Sequence, residues 1–323
     1  MKENRLNSET FDRKDLEMPI PVHPSKTTRP LPEGHSVWCY GGAEYTVEHV
    51  KQYNQKASEN QKIRYLFPYA GSITFTRDGG YEFAWEPKTA LAHSDHLAKS
   101  DLGEEVRVIP MIDGLSAYSD QLTSQDWDRL ASEIGSYIHP EKKFYGVQFD
   151  IEPHDDVICN LFSMLRNYTD KPITAAVAHP NRETFLYTDV VVYMGYDWAE
   201  DLRSFRERAL KDIPLFLQHA DETNGKALVG VPAIATHREY ESISADPNSP
   251  RDKTGFTMDQ FVEAAMDGIK RGAARNKDGY LGISIWALHE QDGLHTDRDV
   301  SWYYPTEISD KIWEKFREPI GDV

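Results

Sequence analysis

Short apolar stretches alternate with longer amphipathic stretches along most of the chain. The apolar stretches are rich in Val, Ile, Phe and Tyr and are bounded by Gly, Pro or Asp, which is typical of β-strands. The amphipathic stretches carry apolar side chains at helical spacing, as in residues 124–138, where Ser124 is the predicted N-cap. The predicted strands are residues 36–40, 63–69 with 72–75 after an interruption at Gly71, 106–112, 145–153, 173–177, 189–196, 227–232 and 281–286. The predicted helices are residues 46–58, 88–99, 124–138, 155–168, 199–220, 256–274 and 306–316.

This alternation over residues 35–323 predicts a single-domain α/β fold, a (β/α)8 TIM barrel. An open, doubly wound sheet is the alternative, and such sheets usually bind a nucleotide at a glycine-rich turn after their first strand. That turn here contains only Gly41 and Gly42, and neither G-x-G-x-x-G nor G-x-x-x-x-G-K-[ST] occurs in the chain, which favours the barrel. Residues 1–34 are rich in proline and lack periodicity, so we predict an N-terminal tail that is disordered or extended along the surface.

Residues 145–153, the fourth predicted strand, place their carboxylates on one face. Gln148, Asp150 and Glu152 are two residues apart and therefore point to the same side, while the apolar residues between them point to the other. In a parallel barrel, the C-terminal ends of the strands form the active site. Two carboxylates about 6–7 Å apart each raise the proton affinity of the other, as a general acid requires. The alternative is a strand end whose acids face solvent or cap the next helix.

The amino-acid composition of the chain disfavours some classes of binding partner. The formal net charge is −17, which disfavours nucleic acid, and no apolar run is long enough to cross a membrane. Residues 1–17 are polar, so we expect no signal peptide in this chain, and the compartment stays open. Cys39 and Cys159 have neither metal nor disulfide spacing and are expected to be free thiols. H-E-x-x-H is also absent, so we predict no metal and no cofactor.

The ends of the other predicted strands complete a candidate site. Asp113 ends the third strand, Met194, Tyr196 and Asp197 end the sixth, and Trp286 ends the eighth. Carboxylates that transfer protons, a phenol that donates a hydrogen bond and an indole that packs on a sugar ring suit glycoside cleavage. Each residue also has an ordinary structural interpretation. Asp113 before Gly114 is common turn chemistry, Asp197 suits a helix N-cap, and Trp286 suits the core.

Four motifs, in the expected order, resemble those of glycoside hydrolases of family 18, the chitinase and endo-β-N-acetylglucosaminidase type. The family pattern D-G-x-D-x-D-x-E is similar to Y-G-V-Q-F-D-I-E here, matching at Gly146, Asp150 and Glu152. M-x-Y-D matches residues 194–197, G-x-P matches residues 230–232, and the last strand has a matching Gly and Trp in residues 282–287. Tyr145 and Gln148 stand where the family has acids, so the resemblance implies a distant member.

The resemblance also implies roles for individual residues. Glu152 would be the general acid and base, and Asp150 would orient the substrate's N-acetyl group, whose oxygen serves as the nucleophile. Tyr196 would hold that oxygen, Asp197 would bind a sugar hydroxyl, and Trp286 would form the floor of the site. The predicted substrate-binding set also includes Met194, Gln148 and Asp113. The implied partner is an N-acetylhexosamine-containing oligosaccharide or polysaccharide.

Two other functions remain open at this point. The loss of two acids from the fourth strand is an argument for a barrel that binds carbohydrate without cleaving it, and the presence of Glu152 is an argument against it. A carboxylate of the protein, such as Asp113, Asp197 or Glu290, is an alternative nucleophile, and the substrate would then need no acetamido group. The sequence leaves open the glycan and its linkage, endo or exo action, and the oligomeric state.

Overall fold

Eight parallel strands close into a ring in the computed structural model, which describes residues 26–152, 157–196, 201–233, 257–288 and 308–320. Each strand of the ring pairs with the next, and the last pairs with the first through Ser36 and Ser284, among others. This closed ring confirms the predicted (β/α)8 barrel and excludes the open sheet. The strands are β1 (His35–Cys39), β2 (Ile63–Phe75), β3 (Tyr81–Trp85), β4 (Arg107–Val108), β5 (Met111–Leu115), β6 (Val147–Glu152), β7 (Ile173–Val177), β8 (Val190–Tyr193), β9 (Lys226–Pro232) and β10 (Tyr280–Leu288).

Helices surround the ring and cover its outer face. They are α1 (Ala43–Asn54), α2 (Lys88–Ala98), α3 (Ser124–Ile138), α4 (Cys159–Leu165), α5 (Thr184–Tyr187), α6 (Leu202–Glu222), α7 (Met258–Ala273) and α8 (Asp310–Phe316). Their apolar faces pack on the outward side chains of the strands to form an outer core, while inward side chains such as Trp38, Phe67 and Val192 fill the ring. Among the described helices, none combines the length and the apolar character needed to cross a bilayer.

The predicted interruption of the second strand at Gly71 is wrong, because β2 runs unbroken from Ile63 to Phe75. A register shift between Tyr69 and Gly71 absorbs the irregularity. Beyond it, β2 turns back at Gly79, whose φ of +80° suits glycine, and pairs antiparallel with β3. The sequence reasoning missed β3, although the D-G-G turn and the alternating aromatic residues of Y-E-F-A-W are hairpin signals.

The third predicted strand also differs. The chain makes the short strand β4 and then β5, which continues through Asp113 and Gly114 to Leu115 instead of ending there. The turn interpretation of Asp113 is therefore wrong. β5 is paired on both sides, with β2 and with β6, and the ladder hydrogen bonds on both edges outweigh the local turn preference of Asp-Gly.

Helix ends shift by a few residues from the predicted ones. The N-cap of α3 is Thr123 rather than Ser124, because Thr123 and Asp126 exchange side-chain to backbone hydrogen bonds in a capping box. The helix predicted at residues 155–168 begins outside the described residues, and its described part is α4. The N-cap of α6 is Asp201, which forms a capping box with Ser204.

Residues 26–34 run across the base of the barrel, where the strands begin. The Thr27 amide donates to Asp189, the Tyr145 hydroxyl donates to the Pro30 carbonyl, and the Tyr65 hydroxyl donates to the Pro32 carbonyl at 2.7 Å. Leu31 packs against the side chains that fill the ring. Residues 1–25 of the predicted tail lie outside the described residues. The segment 26–34 occupies the end of the barrel opposite the candidate site.

Candidate functional site

The acids of β6 face the inside of the barrel mouth. Val147, Phe149 and Ile151 are each buried at 1% exposure or less in the outer core, so the residues between them must point inward. Asp150 and Glu152 occupy the last inward positions of the strand and are partly exposed. The predicted alternation of this strand is therefore confirmed, and both carboxylates lie at the C-terminal rim.

The register of the neighbouring strand brings a third acid alongside. β5 and β6 are parallel, with Asp113 paired to Asp150 and Leu115 paired to Glu152. Paired residues on adjacent strands share a face and lie about 4.8 Å apart. Burial raises the pKa of Asp113 above its ordinary value, and a hydrogen bond from its own backbone partly opposes this. Three inward carboxylates thus share one part of the rim.

Gln148 lies one inward position below Asp150 and is fully buried. The Thr174 hydroxyl donates to its amide oxygen, and its amide nitrogen donates to the Phe149 carbonyl at 3.1 Å. An amide held in this way can neither take nor give a proton. Gln148 therefore supports the acids from underneath and lies away from the open mouth.

Aromatic side chains pack inside the ring. The rings of Tyr196 and Trp286 stack with centroids 4.8 Å apart and an interplanar angle of 16°. Trp38 and Tyr40 contact the indole of Trp286 edge-on, at 5.5 Å and 5.2 Å. Trp286 is only 6% exposed and Tyr196 only 2% exposed, so both rings belong to the packed interior of the barrel, as the core interpretation of Trp286 predicts. Met194 belongs to the same inner cluster.

Gly230 makes room for the Tyr196 ring. A Cβ atom at this position would lie 2.7 Å from Cε1 of Tyr196 and 2.4 Å from the Tyr193 carbonyl oxygen. Real Cβ contacts are almost never that short, so a larger residue would displace the ring or the strand. The glycine of the G-x-P motif thus has a packing role that the sequence alone did not reveal.

The β2–β3 hairpin extends one wall of the mouth. A row of paired residues crosses four strands. Glu82 pairs with Thr74, Thr74 pairs with Leu115, and Leu115 pairs with Glu152. Leu115 is 68% exposed, which is unusual for a leucine. Tyr118, in the loop after β5, is 37% exposed and contacts Arg77 at the tip of the hairpin. Sequence reasoning missed this wall because it depends on β3.

Tyr69 of β2 lies next to the third acid and was also missed. Burial raises the pKa of Tyr69, with a hydrogen bond to Ser72 opposing the rise and the Asp113 carboxylate adding to it. The alternation of β2 up to Tyr69 marks it as an inward residue, and the pairing of Tyr69 with Met111 places it one inward position below Asp113 on the neighbouring strand.

Of the predicted site residues, the structure brings Glu152, Asp150 and Asp113 together at one part of the rim, and Tyr196, Trp286 and Met194 together in the buried cluster inside the ring. Asp197 and Glu290 lie outside the described residues. Within the part of the chain that the structure describes, no group of three or more His, Cys, Asp and Glu side chains is arranged to hold a metal ion.

The fold and the site together define a (β/α)8 barrel with an acidic and aromatic mouth. No model of a known protein family matches the sequence, and comparison with curated proteins found no match. Among solved structures, the chain is similar to a chitinase from Rhizomucor miehei, at 11% identity and a TM-score of 0.48, covering 88% of this chain and 98% of that chain. It is also similar to a GH113 β-1,4-mannanase, at 13% identity and a TM-score of 0.48, covering 89% and 98%. A fungal endo-β-N-acetylglucosaminidase of glycosyl hydrolase family 18 has 11% identity and a TM-score of 0.46, covering 80% and 91%. Likeness at this level carries no argument about the activity of this chain, which must be argued from the site.

Proposed function

We propose that the protein is a retaining glycoside hydrolase that cleaves an N-acetylhexosamine-containing glycan, with Glu152 as general acid and base. One observation carries the proposal. The inward acids at the end of β6 share the C-terminal mouth of a closed barrel with the stacked pair of Tyr196 and Trp286. Proton donors at the mouth of a barrel, with a tyrosine and a tryptophan packed inside it, suit a sugar whose glycosidic oxygen must be protonated.

Glu152 is the outermost inward residue of β6 and protonates the departing glycosidic oxygen. Asp150, one inward position deeper, orients the acetamido group, whose oxygen attacks the anomeric carbon and forms a cyclic intermediate. Glu152 then removes a proton from the water that opens this intermediate, so the product keeps its configuration. The motif resemblance supports this division of roles, and no protein nucleophile is required.

Tyr196 positions the acetamido oxygen, because its ring is held on Trp286 and its motion is restricted. Holding a nucleophile within reach of the reacting carbon removes much of the entropic barrier. Asp197 follows directly in sequence and is proposed to bind a sugar hydroxyl. The exposed wall of Thr74 and Leu115 beside Glu152 would contact the rest of the glycan.

The test replaces Glu152 by Gln and measures new reducing ends on chitooligosaccharides and on N-glycans. We expect turnover to fall about 10²- to 10⁴-fold, the usual contribution of a general acid, with glycan binding retained. Glu104→Gln is the matched control, because Glu104 is exposed in the turn before β4, at the end of the barrel opposite the mouth. Equal rates for Glu152→Gln and the parent protein would refute the assignment.

A second mechanism is supported by the inward position of Asp113 beside Asp150. Asp113 would then attack the sugar directly, and the substrate would need no acetamido group. A thiazoline analogue of N-acetylglucosamine distinguishes the two, since it mimics the cyclic intermediate. Tight binding of the analogue favours the acetamido mechanism, and absence of binding together with cleavage of sugars lacking the acetamido group favours Asp113.

The buried amide of Gln148 supports a third candidate, a barrel that binds glycans without cleaving them. Gln148 occupies the place of an acid in the related motif and cannot exchange protons. Saturable glycan binding without new reducing ends at any pH would favour this function.

A further inference from the structure

Strand β3 has a partner strand on one side only. It pairs antiparallel with β2, and the path of the sheet ends at β3. At one end of this ladder, the Glu86 amide donates to the Ala70 carbonyl at 2.7 Å. Hydrogen-bonded pairs alternate with non-hydrogen-bonded pairs along an antiparallel ladder, so the backbone groups of Ala84 and Glu82 also point to β2.

The backbone groups of Tyr81, Phe83 and Trp85 point the other way, to the outer edge of β3. Within the described residues, none of these amides and carbonyls has a hydrogen-bond partner. The edge is accessible, because the side chains along β3 are alternately half-buried and exposed. A row of unpaired backbone groups on an accessible edge is a template for another strand.

The outer face next to this edge is aromatic. Trp85 stacks on Tyr137 of α3 at 5.7 Å with an interplanar angle of 23°, and Phe83 lies 6.2 Å from the same ring. Tyr137 is 44% exposed, which leaves apolar surface beside the edge. The opposite face of β3 carries the exposed residues Glu82 and Ala84. A strand that adds to this edge therefore needs apolar side chains on its outer face and no acid opposite Glu82.

A second copy of β3, running antiparallel, meets both requirements. When a two-fold axis passes beside Phe83, that residue pairs with the partner's Phe83, and Tyr81 pairs with the partner's Trp85. Each outward amide then faces an outward carbonyl, which gives about six hydrogen bonds across the axis. The paired side chains on the outer face are all aromatic, and aromatic cross-strand pairs are stabilising.

The charges on the other face select this register. Glu82 lies opposite the partner's Ala84, so no like charges are paired. A shift of the register by two residues sets Glu82 opposite the partner's Glu82 or the partner's Glu86. Like charges directly opposite each other are destabilising, so the register centred on Phe83 is favoured over both of its neighbours.

We propose that the outer edge of β3 is a dimer interface, at which two copies of this chain join their sheets antiparallel about Phe83. A two-fold interface of this kind is closed, so pairing stops at two copies. The paired strands are short and each copy carries a formal net charge of −17, so the dimer should be weak and should tighten as salt screens the repulsion. The dimer does not depend on the proposed glycoside cleavage.

The experiment places opposite charges at Ala84 and measures the dimer dissociation constant by sedimentation equilibrium. The Ala84 side chain is exposed in the monomer and faces the partner's Glu82 in the dimer. Ala84→Lys should therefore lower Kd, and Ala84→Glu should raise it, each by about 2- to 30-fold, since two cross-strand charge pairs change in every dimer. Ala274→Lys and Ala274→Glu are the matched controls, because they change the net charge equally at an exposed alanine directly after α7 and should have only the smaller, long-range effect.

Hydrogen exchange, followed by NMR, tests the backbone pairing directly. The amides of Tyr81, Phe83 and Trp85 should exchange more slowly as the protein concentration rises, because they are bonded only in the dimer. The amides of Glu82 and Ala84, which are bonded to β2, should exchange at the same rate at every concentration.

Three results would overturn the proposal. The first is a parent protein that stays monomeric up to about 1 mM at high salt, which corresponds to a negligible affinity. The second is an equal Kd for Ala84→Lys and Ala84→Glu, with the native fold of both verified by near-UV circular dichroism. The third is dimerisation that leaves exchange at Tyr81, Phe83 and Trp85 independent of concentration, since the copies would then meet at another surface.

Discussion

A buried histidine at the base of the barrel makes the stability of the fold depend on pH. His35 is 1% exposed and lies between β10 and the end of α8. The Ile283 amide donates to Nδ1 of His35, and Nε2 of His35 is 3.2 Å from the Phe316 carbonyl oxygen. This network assigns the neutral ring with its proton on Nε2. Burial lowers the pKa of His35 from 6.5 to about 4, with the hydrogen bond to Phe316 opposing the shift.

The sign of the effect follows from the order of the two pKa values. As the pH falls, the unfolded chain protonates His35 near pH 6.5, whereas the folded protein does so only near pH 4. Between these values the unfolded state binds more protons, so the free energy of unfolding falls as the pH falls. The slope is at most about 1.4 kcal/mol per pH unit, and the loss from His35 between pH 7.5 and pH 4.5 is about 2.5 kcal/mol.

The assay is urea denaturation of the parent and of His35→Gln at a series of pH values between those limits. Carboxylates titrate in both proteins, so the quantity of interest is the difference between the two curves. The parent should lose about 2.5 kcal/mol more than His35→Gln on acidification, although the variant starts from a lower stability. His139→Gln, which changes an exposed histidine, should follow the parent. If parent and His35→Gln lose the same stability between pH 7.5 and pH 4.5, the neutral, buried state of His35 is refuted.

Two further predictions concern the mouth and the base of the barrel. Gly230→Ala places a methyl group against the Tyr196 ring and should lower kcat by about 10²-fold with a smaller effect on KM, because a displacement of about 1 Å has that cost for a positioned group. If kcat is unchanged while near-UV circular dichroism shows the native fold, the Tyr196 ring has no role in positioning the substrate. Tyr65→Phe removes the hydroxyl that donates to the Pro32 carbonyl and should lower the free energy of unfolding by about 1 kcal/mol in urea denaturation. The control Tyr137→Phe, at an exposed tyrosine, should leave the free energy of unfolding unchanged. Equal stabilities for the two variants would mean that the Tyr65 hydrogen bond does not hold residues 26–34 on the barrel.

The inward acids of β6 could be predicted because the pattern of apolar and polar side chains along this single strand is enough to show which residues share a face. Val147, Phe149 and Ile151 are apolar and every second residue between them is polar, so the two faces follow from the period of the strand alone. The alternation of strands and helices predicted the barrel for the same reason, since each βα unit is a local pattern. The start of α3 was misplaced because serine is intrinsically the better N-cap, whereas the capping box with Asp126 selects Thr123.

Other features depended on contacts between distant parts of the chain. The stacking of Tyr196 on Trp286 joins β8 to β10, and it needs the space left by Gly230. The sequence near Tyr196 and the sequence near Trp286 give no indication that the two rings stack on each other. The path of residues 26–34 across the base depends on hydroxyl groups of Tyr65 and Tyr145, which sequence reasoning assigned to the strands alone.

The amino-acid sequence by itself determined which residues could point into the barrel, because side-chain direction along a strand repeats every two residues. Only the tertiary structure decided which of them became neighbours. Asp113 belongs to a dipeptide that prefers turns, yet pairing on both edges of β5 made it a strand residue and set it beside Asp150. Register between strands is a property of the whole ring, since hydrogen bonds and buried apolar area must be satisfied on every strand at once.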